Sequence, residues 1–202
     1  MSKAFTKESD SDDDDDLDVP SNPIPAGAKN YMTPDGWRRM RDELSWLVKT
    51  ERPQVTSVVS WAAKNGDRSE NGDYLYGKKR LREVDKRIRY LTKRIETAEV
   101  VDPGEREDTD QVFFGATVTY VSSKDGEHTV RIVGLDEVDV TDGRISWISP
   151  MARALIKARE GDTVTLRTPG GVEELEIAEV RYERIALEGF TPPVSLWAPN
   201  AR

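Results

Sequence analysis

The sequence predicts an α+β chain, an N-terminal antiparallel helical hairpin followed by an antiparallel sheet that carries one short helix. Three observations carry this. Leu81, Val84, Ile88, Leu91, Ile95 and Ala98 step alternately by three and four residues, which is a heptad seam. A second apolar stripe, Trp37, Met40, Leu44, Leu47, Val55, Val58 and Ala62, precedes it across a short polar connection, so the two helices are predicted to lie antiparallel. Beyond residue 110 the helical period gives way to short alternating runs separated by Gly and Pro.

Thr33-Pro34 opens the first arm as N-cap and first helical position, with Asp35 favourable in the first turn. Pro53 interrupts that arm, because it lacks an N–H and crowds the preceding turn, so a kink or a local opening is expected. Asn65-Gly66 reads as a stop. At ~1.5 Å rise per residue, an arm of roughly thirty residues reaches about 45 Å, more than the core of a chain this size requires. In the last block Val112–Phe114, Ala116–Val121, Thr129–Val133 and Thr163–Leu166 read as strands, with Lys124-Asp125-Gly126 and Pro169-Gly170-Gly171 as turns. Pro150 to Lys157 reads as a short helix, with Gly161 after its end.

Composition divides the chain further. The whole of its 202 residues carries a formal charge of -8, but residues 1–30 are net -5, residues 31–101 net +5 and residues 102–202 net -8. A basic segment lies between two acidic ones. Residues 1–30, with the run Asp12 to Asp16 followed by Pro20, Pro23 and Pro25, are predicted to be a disordered acidic tail. Its simplest role is solvation. If instead it mimics nucleic acid and competes for the basic block, deleting residues 1–29 should raise affinity for the partner. The expected units are then the tail, a hairpin over 31–101, a sheet domain over 102–187 and a flexible tail over 188–202, in which Trp197 has no assigned role. Zero Cys excludes a disulfide framework, thiolate-held zinc and a catalytic thiol, and the single His128 argues against a multi-His metal site. With no long apolar run and no signal-peptide core, the expected location is the cytoplasm, away from membranes.

Within the hairpin two features carry chemistry. Lys78, Arg82, Lys86, Arg89 and Lys93 fall within about 80° of one another on the second arm, turned away from the seam. Such a stripe is either an ordinary solvated face or a surface that meets phosphates or an acidic channel. The tip, Gly66-Asp67-Arg68-Ser69-Glu70-Asn71-Gly72-Asp73-Tyr74, holds three carboxylates. Asp67 and Glu70 fit a capping box at the start of the second arm. They equally fit two hard oxygen ligands for a divalent cation, weak alone and useful only where another protein completes the coordination.

The tip resembles the signature of the Gre family of bacterial transcript-cleavage factors, and within it the GreB type. Lys78-Lys79-Arg80-Leu81-Arg82-Glu83, Arg89-Tyr90-Leu91-Thr92-Lys93-Arg94, Phe113-Phe114-Gly115-Ala116 and Ser149 to Leu155 add matches in the right order, from about Tyr31 to about Tyr182. The resemblance implies an accessory factor, not an enzyme by itself. Such factors insert their coiled coil into the secondary channel of RNA polymerase and stimulate cleavage of backtracked RNA near its 3′ end. Asp67 and Glu70 match the essential acidic pair and would share a second Mg²⁺ with polymerase carboxylates. Ser69, Asn71, Asp73 and Tyr74 match residues that shape the turn. Arg68, at a variable position, would keep the acids ionised or touch the RNA phosphate. The basic stripe matches the RNA-handling surface of the GreB type.

The resemblance further implies an FKBP-like C-terminal domain, without isomerase activity following from it. That domain would grip the rim coiled coil of the largest polymerase subunit through Ser149, Pro150, Met151, Ala152 and Arg153, with the factor acting as a monomer. Read from the residues alone, Ser149-Pro150 is simply a helix start packed on the sheet, and both can hold. Ile148 departs from the polar residue usual in relatives before Ser-Pro. Two alternatives remain open: a channel inhibitor on the same scaffold that blocks without cleaving, and a plain nucleic-acid-binding coiled coil.

Overall fold

Thr33 starts the first arm as its sequence predicts. The computed structural model describes residues 24–25, 27–64, 71–107, 109–124 and 126–194. Thr33 has extended backbone, and its Oγ1 accepts from the Gly36 N–H at 3.2 Å, with Pro34 next in the first turn. Helix α1 runs Pro34–Trp46, a π-helical turn covers Leu47–Glu51, and α2 covers Arg52–Ala62. The expected disturbance at Pro53 is this π turn, one residue wider than an α turn, lying just ahead of the proline. Helix α3, Gly72–Glu96, returns along it.

The seam buries Met40, Leu47, Val55 and Ala62 of the first arm with Val84 and Leu91 of the second. Near the tip the arms close tightly. A Cβ on Gly77 would sit 2.5 Å from Val59 Cγ2, which explains a glycine inside α3 where it otherwise weakens a helix. Ala98, the last position of the heptad pattern, has already left the helix. It begins strand β2, Ala98–Val100, which pairs in parallel with β1, Asn30–Met32, at the root of the hairpin. Two strands of three residues are too short to show a period, so they are not legible from spacing.

The C-terminal sheet has the order β5-β4-β3-β7-β6. Its strands are β3 Thr117–Ser122, β4 Gly126–Val133, β5 Arg144–Ser146, β6 Thr163–Thr168 and β7 Gly171–Arg181. All neighbours pair antiparallel except β4 and β5, which are parallel, so the sheet is mixed at that edge. Val118, Tyr120, Val130, Ile132, Leu166, Leu175, Ile177 and Val180 form its inner face, covered by Ala152 and Leu155 of helix α4, Pro150–Leu155. The register of β7 slips opposite Thr119/Tyr120, which is why its inward residues step by two and then by three. The four glutamates among them, Glu173, Glu174, Glu176 and Glu179, hid this strand from a hydrophobic reading.

Two expected elements differ. Val112–Phe114 is not a strand. Val112 exchanges hydrogen bonds with Ala158 O and the Lys157 N–H, and the chain then turns at Gly115 with φ 86°. Helix α4 stops at Leu155, because Lys157 takes a left-handed φ of 77°. Among the described residues no helix is long and apolar enough to cross a membrane.

A buried polar junction joins hairpin to sheet. Glu137, 1% exposed, accepts from the Thr33 N–H at 2.9 Å, Thr33 Oγ1 at 2.5 Å and the Gly134 N–H at 2.6 Å. Burial pushes its carboxyl above the ordinary range, partly offset by those hydrogen bonds. Beside it Arg94 Nε donates to Asp136 Oδ2 at 2.8 Å, and Tyr90 Oη donates to Asp136 Oδ1. Burial first, then that hydrogen bond, raises the Tyr90 phenol to about 12. Tyr31 adds an aromatic bridge, its ring 5.4 Å from Phe114 and 5.5 Å from Trp147.

Candidate functional site

The site is built where the two arms end. Asn71 is the N-cap of α3, its Oδ1 accepting from the Asp73 N–H at 3.1 Å and the Tyr74 N–H at 3.3 Å. The same side chain donates from Nδ2 to Ala62 O at 3.0 Å. One residue thus satisfies the opening N–H groups of the second arm and a closing carbonyl of the first, and so holds the mouth of the turn shut. One of the two readings of Asp67 and Glu70 makes them a capping box that opens the second arm. Instead Asn71 caps it and the helix begins at Gly72. Asp67, Arg68, Ser69 and Glu70 lie outside the described residues. Asp73 occupies the first turn of α3, where a carboxylate suits the helix dipole, and it is exposed. Tyr74 is half-buried, with Lys78 Nζ 5.6 Å over its ring.

From the tip the basic stripe runs down α3. Arg82, Arg89 and Lys93 are exposed, and Lys78 and Lys86 are half-buried. Among the described residues none of the five forms an ion pair within 4.0 Å. Lys79, exposed next to the stripe, likewise forms no ion pair among the described residues, whereas Arg80 and Arg87 do. Arg80 Nε donates to Glu51 Oε1 at 3.0 Å and its Nη1 to Glu83 Oε2 at 3.3 Å, while Arg87 makes a two-point contact with Glu43 at 2.7 and 2.8 Å. One flank of the hairpin is therefore neutralised by its own carboxylates, and the other keeps its positive charge. By helical spacing Arg80 and Arg87 fall on a different face from the five. That spacing does not reveal the pairing itself, since Glu51 and Arg80 are far apart in sequence and only the hairpin register brings them together. Trp61, which the apolar stripe leaves out, is 60% exposed one residue before the end of α2.

At the far end of the molecule Ser149 caps α4, its Oγ accepting from the Ala152 N–H at 3.1 Å. Ala152 is fully buried and Met151 packs partly against the core. Of the five residues expected to dock, Pro150 and Arg153 are the ones that face solvent. Ile148 is half-buried.

Comparison with known proteins fits this division. Residues 30–100 match the family described as transcription elongation factor, N-terminal, and residues 107–182 that described as transcription elongation factor, GreA/GreB, C-term. The chain belongs to the GreA/GreB family. Transcription elongation factor GreB of Neisseria meningitidis serogroup B (strain MC58) is 63% identical over 157 residues, covering 78% of this chain and 96% of that protein. Its counterpart in Yersinia pestis is 48% identical over 153 residues, covering 76% and 89%. That of Pseudomonas aeruginosa PAO1 is 49% identical over 153 residues, covering 75% and 89%. In this GreA/GreB chain the tip, the stripe and α4 all lie inside the matched residues. The segment after residue 182 does not.

Proposed function

We propose that this elongation factor enters the secondary channel of bacterial RNA polymerase and stimulates endonucleolytic cleavage of backtracked nascent RNA. The observation that carries this reading is the capping of α3 by Asn71, which also ties it to Ala62. With Asn71 as its cap the second arm does not require Asp67 or Glu70 to begin, and both stand in sequence between the two arms of a rod about 43 Å long by ~1.5 Å per residue. Hard carboxylate oxygens from Asp67 and Glu70 fit a divalent cation, and a shared Mg²⁺ would supply an activated water at the scissile phosphate. The chain's own task is to carry the pair inward and hold it there. Arg68, between the acids in sequence, would add a cation near the RNA phosphate. The unpaired stripe of Lys78, Arg82, Lys86, Arg89 and Lys93 attracts the extruded RNA 3′ segment, while the neutralised flank can lie against protein. Pro150 and Arg153 are the accessible part of the expected grip on the polymerase rim. The protein works in the cytoplasm as an accessory factor, because its tip donates only part of an active site.

The test is to add the protein to backtracked polymerase with Mg²⁺ and size the released RNA. Shortened RNA with a new 3′ end, lost in Asp67→Asn and Glu70→Gln, is the expected result. Both substitutions keep the shape of the side chain, so folding stability should change by no more than ~0.5 kcal/mol. Slowed elongation without shortened RNA would instead mark a factor that blocks the channel.

A further inference from the structure

Beyond residue 182 the chain crosses back onto the hairpin. Arg184 Nη2 donates to Asp35 Oδ1 at 2.9 Å, and the Leu187 N–H to Asp35 Oδ2 at 3.4 Å. Ile185 between them is 5% exposed and Asp35 is 9% exposed. Further on, the Phe190 ring lies 5.6 Å from that of Trp46. Asp35 and Trp46 sit on one face of α1 about three turns apart, a rise of ~16 Å. The segment from Arg184 to Phe190, part of which was expected to be a flexible tail, therefore lies lengthwise along the helix.

The buried junction holds the rod near its root. Thr33 and Gly36 against Glu137, and Tyr90 and Arg94 against Asp136, all sit at the root of the hairpin, where they act as a pivot. A contact at Trp46 works three turns out along the lever. A tilt of only ~5° about the root would move a tip ~43 Å away by about 4 Å. Displacements of about 1 Å are enough to cost of order 100-fold in a reaction that depends on alignment. We propose that residues 184–190 form a strap that sets the angle between hairpin and sheet domain and thereby places the acidic tip. Arg184 and Phe190 are its positioning residues. This inference rests on the cleavage function proposed above.

The chain has no Cys, so Lys64→Cys with Val172→Cys gives two clean sites for spin labels, one near the tip and one exposed at the start of β7. Pulsed electron resonance then reads the distance distribution in the full chain and in the Arg184→Ala/Phe190→Ala variant. Ile185 is retained so that the root of the segment stays packed, and a thermal melt verifies folding. The expected result is a distribution shifted or broadened by several ångströms. Cleavage at saturating factor should fall about tenfold, with polymerase affinity changed less than about twofold. An unchanged distribution overturns the strap. A broadened distribution with undiminished cleavage overturns its positioning role. If the unaltered chain itself yields no shortened RNA, the cleavage reading fails, and the distance measurement still decides whether the strap holds the angle.

Discussion

Asn71 joins two jobs that single residues rarely combine, and they can be separated. Asn71→Ala removes the cap and the bond to Ala62 O, and should cost about 1–2 kcal/mol in a denaturation experiment. Asn71→Asp keeps the cap acceptor but cannot donate across the turn. It should retain most of the stability while slowing cleavage, because the arms are no longer tied at the mouth of the tip. Equal stability loss in both variants would mean that the bond to Ala62, not the cap, carries the energy. The tip's acids stand out in sequence as a short, densely charged stretch, and Asp67 and Glu70 lie outside the described residues. Asn71's capping role does not stand out, because Asp67 and Glu70 also satisfy a capping pattern and only the backbone shows where helical geometry begins.

At the scale of elements, the π turn and Pro53 form one feature with Glu51. The carboxylate of Glu51 is 2% exposed and held by Arg80 from the opposite arm. Arg80 is a third exposed and keeps Glu83, so its charge is not stranded, and Glu51→Ala should lower stability by only about 1 kcal/mol through the lost hydrogen bond. It should also leave Arg80 only partly neutralised on that flank. The measurable sign is a steeper salt dependence of RNA binding in the variant, since an added cation releases another counterion. An unchanged salt slope would show that Glu83 alone neutralises Arg80. The proline announced a disturbance in the first arm, but its form depended on what α3 places beside it.

For the whole molecule, the angle between hairpin and sheet rests on carboxylates. Burial tends to raise the Asp35 carboxyl, yet the hydrogen bonds from Arg184 and the Leu187 N–H, with the charges of Arg184 and Arg38, outweigh it and hold the group below its ordinary value of 3.8. A lowered folded value contributes stability in full above 3.8, and that contribution is lost as pH falls through the folded value. Asp35→Asn should therefore be less stable than the native chain at neutral pH, with the gap closing in urea melts run below pH 3.8. A gap of the same size at both pH values would mean that Asp35 acts through packing and helix capping instead of through its charge.

The sequence by itself determined the hairpin, its basic face and the start of the capped helices at Thr33 and Ser149. Each of these is written in residues close together in the chain, where spacing, caps and charge act locally. Only the tertiary structure decided the parallel pairing of β1 with β2, the glutamate-rich β7, the Glu51–Arg80 pair, the Glu137 junction and the strap along α1. In each of these the partners are far apart in sequence, and their interaction exists only once packing has brought them into contact and excluded water.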